Sequence, residues 1–293
     1  MTFSTEYFCC KMFSFKLFTL FLFFGIVQCN SSYGYHILVG IPRARAIKIT
    51  EGMSRIVGGS QVTTLNSFPY QAGIVTTLTT GAESICGGSL VSRTRVLTAA
   101  HCWRDGQMQA RKFTVVLGSL KIFSGGTRLD STDVVVHPQW NFNEITNDIA
   151  MVKIAAVNLS ENIQPVALPT TSEVSENYAG LSAIASGYGK TRDSQNSFPS
   201  TTALYQMTLS VLTNAQCQQR FDMPLHSSHL CTDGVRGVGT CDGDSGGPLT
   251  VVWKNRRTLI GIVSFGLGDG CQLGLPSVYT RVTAFLPWIN SNM

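Results

Sequence analysis

The sequence predicts an all-β fold, a sandwich or a barrel, from three observations. Short apolar runs alternate with Gly, Pro, Asn and Ser clusters at roughly 8–15 residue intervals from position 56 onward. The 28 glycines and 10 prolines favour many turns. With 44% apolar and only 13% charged residues, the chain has the composition of a protein with a real core, and its 293 residues allow one large or two ordinary domains.

Eight segments have the apolar pattern of strands. In chain order they are residues 95–98, 113–117, 132–136, 149–154, 182–185, 204–209, 249–252 and 259–263. One helix is predicted, at the C-terminus, where Phe285, Trp288 and Ile289 share a face. Pro287 lies in its first turn, where the missing N–H is harmless.

The N-terminus has the pattern of a secretory signal. Lys11 and Lys16 precede an uncharged run at 17–27, which is too short for the roughly 20 residues of a spanning helix. We expect cleavage near Cys29 and an extracellular protein; an uncleaved anchor is the alternative. No later stretch is long and apolar enough to span a membrane, so no membrane contact is expected after processing. Residues 30–55 have little core pattern and are interpreted as a linker or pro-segment.

Removing residues 1–29 also removes three of the nine cysteines. The six that remain are Cys86, Cys102, Cys217, Cys231, Cys241 and Cys271. An even set in an exported protein predicts three disulfides, although six cysteines can pair in about 15 ways.

The segment 241–248, Cys-Asp-Gly-Asp-Ser-Gly-Gly-Pro, is the densest chemical signal. Its glycines allow a sharp turn in which the N–H groups of Gly243 and Ser245 converge on one oxygen, as an oxyanion requires. A serine hydroxyl is a weak nucleophile without a base. Read alone, the segment is equally a Gly-rich turn.

A base and a carboxylate are available elsewhere in the chain. His101 follows the apolar run at 96–100 and directly precedes Cys102, so a local disulfide could hold its loop. Asp148 begins an apolar strand and could be buried beneath the imidazole, whereas other aspartates have polar neighbours. Read alone, each is an ordinary packed or turn residue; together with Ser245 they form a candidate nucleophile, base and orienting carboxylate.

The order His101, Asp148, Ser245 and the sequences around them resemble the chymotrypsin–trypsin family of serine endopeptidases, including arthropod chymotrypsin-like and collagenase-like members. The resemblance extends from Ile56 to the C-terminus. It implies two six-stranded antiparallel Greek-key barrels, at about residues 56–165 and 166–293, with the active site between them. It also implies catalysis through an acyl-enzyme, with the N–H groups of Gly243 and Ser245 as the oxyanion hole.

The resemblance further implies activation by cleavage. A protease would cut after Arg55, and the new α-amino group of Ile56 would pair with Asp244 beside the nucleophile; a buried carboxylate without a cation is costly. The family pattern also selects one disulfide pairing among those possible: Cys86–Cys102, Cys217–Cys231 and Cys241–Cys271.

The substrate pocket is assigned by the same resemblance. Ser264, Phe265 and Gly266 would offer backbone to an extended substrate. Gly239 lies at the pocket floor, where trypsin-like members carry an aspartate. Ser277 lies in the pocket wall, at a position that is usually a glycine in the family and is an aspartate in collagenase-like members. A substrate Lys or Arg would thus be unpaired, and we predict cleavage after Phe, Tyr, Leu or Met. Elastase-like or trypsin-like specificity is the alternative.

No cofactor or metal is predicted. The loop 118–126 has no carboxylate, so no calcium site is expected there. The run 226–231 has two histidines at metal-like spacing, but Cys231 is assigned to a disulfide. Asn30 and Asn158 begin glycosylation acceptors of unknown occupancy.

Expected partners are protein or peptide substrates, an activating protease and protein protease inhibitors, and the protein is expected to be a monomer. A non-catalytic binding protein of the same family is the rival class, although such proteins usually lose one of the three catalytic residues. Nucleic acid is not expected. The net charge of +5 resides mostly in residues 1–55, and the remaining 238 residues have 16 basic and 15 acidic side chains.

Overall fold

Two antiparallel β-sheets of seven strands each make up most of the described part of the chain. The computed structural model describes residues 33–50, 60–190, 203–221, 223–237, 239–266 and 271–293. The predicted signal peptide and both residues of the predicted cleavage site, Arg55 and Ile56, lie outside these ranges. In the part of the chain that is described, no helix is long and apolar enough to cross a membrane.

The first sheet has the order β6-β5-β2-β3-β4-β8-β7. Its strands are β2 (Gln71–Leu78), β3 (Glu83–Ser92), β4 (Arg95–Thr98), β5 (Ala110–Leu117), β6 (Thr127–Ser131), β7 (Val134–Val136) and β8 (Ala150–Lys153). The two edge strands, β6 and β7, are separated by only two residues in the chain. The sheet therefore curls into a barrel in which β6 and β7 act as one bent strand.

The second sheet has the order β1-β10-β11-β14-β13-β12-β9. Its strands are β1 (Ser60–Gln61), β9 (Ser182–Gly187), β10 (Tyr205–Leu212), β11 (His229–Thr232), β12 (Pro248–Trp253), β13 (Arg256–Gly266) and β14 (Ser277–Arg281). Because β9 also pairs with β10, strands β9 to β14 close a ring of six, and β1 is added at its edge. The predicted all-β class with two barrels is confirmed.

Each of the eight predicted strand segments overlaps a strand. Leu97 in β4 and Leu249 in β12 are fully buried and lie in runs of consecutive buried residues, as the short apolar runs of the sequence predict. The sequence prediction missed six strands: β1, β2, β3, β6, β11 and β14. Of these, β2, β3, β11 and β14 have small and polar residues among their buried positions.

The predicted C-terminal helix is α3 (Leu286–Ser291), with Pro287 in its first turn. The prediction of a single helix is wrong. Helix α1 (Ile41–Thr50) follows a π-helical turn at His36–Gly40, and α2 (Asn214–Gln218) is capped by Thr213. Helix α1 packs on β3 within the stretch interpreted from sequence as lacking core pattern.

A buried carboxylate links the chain between the barrels to the β12–β13 hairpin. Glu173 is 2% exposed and accepts hydrogen bonds from the Thr170 N–H (2.8 Å), the Trp253 indole (3.1 Å) and the Arg256 guanidinium (2.5 Å). The hydrogen bond from Thr170, together with those from its other partners, outweighs burial and lowers the pKa of Glu173 to about 2. The ionised carboxylate therefore stabilises this connection.

We predict that Glu173→Gln lowers the free energy of unfolding at pH 7 by about 2 kcal/mol, because the amide cannot accept all these hydrogen bonds. The folded-state pKa is depressed, so the contribution of Glu173 is present above its usual pKa near 4.5 and is lost as the pH falls towards 2. The difference between variant and parent should shrink over that window in urea denaturation. Glu161→Gln, at an exposed position, is the control and should match the parent. Equal stability of both variants at pH 7 would contradict this account.

Candidate active site

The imidazole of His101 lies at the end of β4. This strand runs into a 3-10 turn at Ala100–Cys102, and the Cys86–Cys102 disulfide joins that turn to β3. His101 is fully buried, and its Nδ1 lies 2.8 Å from Asp148 Oδ2. The disulfide and this hydrogen bond together fix the position of the ring.

Asp148 lies just before β8 and is 1% exposed. Its Oδ1 accepts the His101 backbone N–H at 2.9 Å, and its Oδ2 accepts the Ser264 hydroxyl at 2.6 Å. Burial alone would raise the pKa of Asp148, but the charge of His101 and the hydrogen bonds from His101 and Ser264 keep it below its usual value. The group is therefore an ionised carboxylate that accepts from both sheets.

Ser245 lies in a tight turn between Cys241 and β12. Gly243 has φ +100°, which favours glycine, and the Asp244 N–H donates to the Cys241 carbonyl at 2.9 Å. The Ser245 carbonyl accepts the Gly87 N–H of β3 at 2.7 Å, which holds the turn against the first barrel. Among the described residues, the N–H groups of Gly243 and Ser245 have no backbone acceptor, so both are available to a ligand oxygen.

The carboxylate of Asp244 is enclosed by backbone. It is 3% exposed and accepts the N–H groups of Gly189 (2.8 Å) and Cys241 (3.0 Å). A Cβ on Gly187 or Gly189 would collide with it. Burial raises the pKa of Asp244 to about 6, although both N–H groups and the charge of Arg43 lower it.

The residues predicted to form the substrate pocket lie on β13, β14 and the segment before Ser245. In the sheet register Gly266 is opposite Ser277, and a Cβ on Gly239 would lie 3.0 Å from the Ser277 hydroxyl. That hydroxyl accepts the Thr240 N–H at 3.2 Å. Phe265 is 4% exposed and packs against other rings. Strand β13 pairs with β14 as far as Gly266, but it pairs with β12 only as far as Ile262.

The other cysteine-containing segments form disulfides. The structure pairs Cys217 with Cys231 and Cys241 with Cys271. Cys86, Cys102 and His101 also cluster, but both sulfurs are in a disulfide and provide no thiolate for a metal. The cysteine of the histidine-rich run 226–231 is likewise in a disulfide.

Sequence reasoning missed two contributions to this site. It assigned Ser264 only a backbone role, whereas its hydroxyl binds Asp148, and the Thr280 hydroxyl donates to the Asp148 carbonyl at 2.7 Å. It also gave residues 33–50 no contact with the site, yet Tyr35 packs edge-on against His101 at 4.8 Å between ring centroids. The only signal for this packing was the recurrence of apolar residues at intervals of three to five, at positions 35, 39, 44 and 47.

The barrels and this constellation define a serine endopeptidase. The family model described as Trypsin matches residues 56–289, and the chain belongs to that family. It is 36% identical to the collagenase of Hypoderma lineatum over 85% of this chain and 90% of that protein, and 37% identical to brachyurin of Leptuca pugilator over 80% and 97%. A solved structure of HL collagenase, 36% identical, superposes with a TM-score of 0.72 over 81% of this chain and 98% of its own.

The hydrogen bond from Ser264 to Asp148 yields a prediction for the processed peptidase. Ser264→Ala should lower kcat about tenfold with little change in KM, because one donor to a charged group is lost. The carboxylate then stabilises the imidazolium more strongly, so the acid limb of the pH profile of kcat/KM should move to higher pH.

Ser131→Ala is the matched control, because its buried hydroxyl donates to the Lys153 carbonyl at 2.6 Å within the first barrel. This variant should change stability and leave the pH profile unchanged. An unaltered profile for Ser264→Ala would show that its hydroxyl does not act on the carboxylate.

Proposed function

We propose that this protein is a secreted serine endopeptidase, made as a zymogen, in which Ser245, His101 and Asp148 carry out acyl transfer. The observation that carries the proposal is the 2.8 Å contact between His101 Nδ1 and a buried carboxylate, with a glycine-flanked serine in the adjoining turn. Protein and peptide substrates follow from membership of the family.

The mechanism uses each group in turn. Ser245 Oγ attacks the scissile carbonyl carbon while His101 Nε2 takes its proton, and Asp148 stabilises the resulting imidazolium. The carbonyl oxygen becomes an oxyanion, which accepts the N–H groups of Gly243 and Ser245. His101 then protonates the leaving amine. Water, deprotonated by the same nitrogen, releases the acyl group from Ser245.

Activation would occur by cleavage after Arg55. The new α-amino group of Ile56 would then reach Asp244, whose carboxylate is enclosed by backbone. A buried carboxylate without a full counter-charge is costly, which supports a cation at this position in the active enzyme. Because Asp244 is adjacent to Ser245, this pair would set the conformation of the oxyanion turn.

The pocket favours large or medium apolar side chains before the scissile bond, namely Phe, Tyr, Leu and Met. Gly239 and Ser277 provide no charge for a substrate Lys or Arg, and burial of an unpaired cation is unfavourable. Among the described residues, a Cβ on Gly266 would have no atom within 4 Å, so the mouth of the pocket is open.

Secretion is supported by the three disulfides, which persist in oxidising compartments. We therefore place the protein outside the cell, acting as a monomer on protein substrates and subject to protein inhibitors that occupy the same cleft.

The function predicts hydrolysis by protein that has been cut after Arg55. Peptides that differ only in the residue before the scissile bond should be cleaved after Phe, Tyr, Leu or Met. Ser245→Ala should reduce turnover by on the order of 10⁶-fold and leave the thermal unfolding curve unchanged. No hydrolysis of any peptide, with Ile56 confirmed as the new N-terminus by sequencing, would contradict an active enzyme.

The pocket assignment has its own test. Gly239→Asp combined with Ser277→Gly should transfer preference to Arg and Lys, because a carboxylate at the floor would pair with the substrate cation and the glycine makes room for it. Ser277→Gly alone is the matched control and should keep the apolar preference. Preference of the parent for Arg or Lys would show that the pocket is assigned incorrectly.

A further inference from the structure

Residues 33–50, called here the N-terminal segment, lie against the candidate active site. The segment consists of the π-helical turn at His36–Gly40 and helix α1, and both pack on β3. Its inner face is buried and recurs at helical spacing: Tyr35, His36, Val39, Gly40, Arg43, Ala44 and Ile47. An inner face that mixes rings, cations and glycine is unlike a simple apolar stripe and indicates specific contacts.

Tyr35 covers the groups assigned to catalysis. Its ring packs edge-on against the His101 imidazole at 4.8 Å, and its hydroxyl donates to the Ile85 carbonyl at 2.8 Å. Burial raises the pKa of Tyr35, and a hydrogen bond from the Ser245 side chain partly offsets this effect. In the described part of the chain, His101 Nε2 is buried and has no hydrogen-bond partner. The Tyr35 ring therefore fills space next to His101 and Ser245, the two groups that a substrate carbonyl would have to approach.

Arg43 lies over the turn assigned to the oxyanion. Its guanidinium donates to the carbonyls of Tyr188 (3.1 Å) and Gly189 (3.0 Å), and a Cβ on Gly243 would be 3.1 Å from the Arg43 side chain. Gly189 in turn donates its N–H to Asp244. The side chain of Arg43 is 7% exposed, so a buried cation faces the same peptide unit as the buried carboxylate.

His36 and Gly40 fix the rest of the segment to the first barrel. The His36 N–H donates to Asp105 Oδ2 at 2.7 Å, and its Nδ1 lies 2.8 Å from the Ser84 hydroxyl. A Cβ on Gly40 would collide with that hydroxyl. This close approach is possible only for glycine, and it brings the backbone of the segment directly onto β3.

We propose that the N-terminal segment is a built-in inhibitor that occupies the catalytic cleft through Tyr35 and Arg43 and stays bound after the chain is cut following Arg55. This inference rests on the proposed function, because it assigns a regulator to the same site. The segment contains no cysteine, so only non-covalent contacts hold it once the chain is cut. Activity then requires two steps, cleavage and dissociation, and dissociation removes Arg43 before the Ile56 amine pairs with Asp244.

The test uses the full chain with residues 52–55 replaced by a factor Xa site, which also ends in arginine, so that one cut precedes Ile56. Specific activity of the cut protein is measured as it is diluted from about 10 µM to about 10 nM; release of a non-covalent inhibitor should raise it at least about tenfold. Arg43→Ala and Tyr35→Ala should each give nearly full activity at every concentration. Arg45→Ala, which removes an exposed cation of the same helix, is the matched control and should behave as the parent.

A second readout does not depend on turnover. Gel filtration of the cut Ser245→Ala protein at high concentration should show the fragment ending at Arg55 eluting with residues 56–293, and Arg43→Ala should separate them. Elution of the parent fragment apart from the peptidase, or specific activity independent of dilution, would overturn the inhibitor and leave the endopeptidase intact. Co-elution without hydrolysis in any variant would contradict the proposed function instead.

Discussion

The carboxylate of Asp148 must be satisfied by donors from both barrels, and the rest of the site depends on that requirement. A buried, ionised group is costly unless it is paired and hydrogen-bonded. His101 provides two donors from the first barrel, while the hydroxyl of Ser264 reaches the same carboxylate from β13. Thr280 of β14 donates to the backbone of the same residue. Any shift of one barrel against the other would leave the buried charge of Asp148 without its donors. The interface between the barrels therefore also fixes the orientation of the His101 imidazole.

Backbone contacts with both barrels position Ser245, the proposed nucleophile. The turn that presents Ser245 is held to β3 by the Gly87 N–H and to β13 by the N–H of Gly246, which donates to the Val263 carbonyl at 2.8 Å. Gly246 has φ +80°, and a Cβ there would collide with Thr98. The glycines after the serine therefore serve close packing between the barrels as much as the turn itself.

Eight of the strands could be predicted from sequence because they depend on local pattern, and the three residues proposed as catalytic were selected by motif. Short apolar runs marked the strands of Leu97 and Leu249, which are fully buried, and the glycine-rich turn marked Ser245. The position of the N-terminal segment could not be predicted in the same way. Its inner face includes His36 and Arg43, whose hydrogen-bond partners lie far away in the chain. Periodicity measures hydrophobicity along a helix, whereas these contacts span roughly 50 to 150 residues of sequence, and no local pattern encodes them.

The surroundings of Asp244 explain why the N-terminal segment and the proposed new N-terminus would compete. The carboxylate is held by the N–H groups of Gly189 and Cys241, and the glycines beside it leave no space for a larger neighbour. The Asp244 carboxylate is therefore fixed in place, and a cation that pairs with it must approach it. Arg43 does so only indirectly: it donates to the carbonyl of the Tyr188–Gly189 peptide unit, whose N–H donates to Asp244, and it makes no direct hydrogen bond to the carboxylate among the described contacts. Direct contact with an ammonium group would stabilise the ionised form more strongly. In the proposed activation, the weaker counter-charge belongs to the uncut chain and the stronger one to the cut chain.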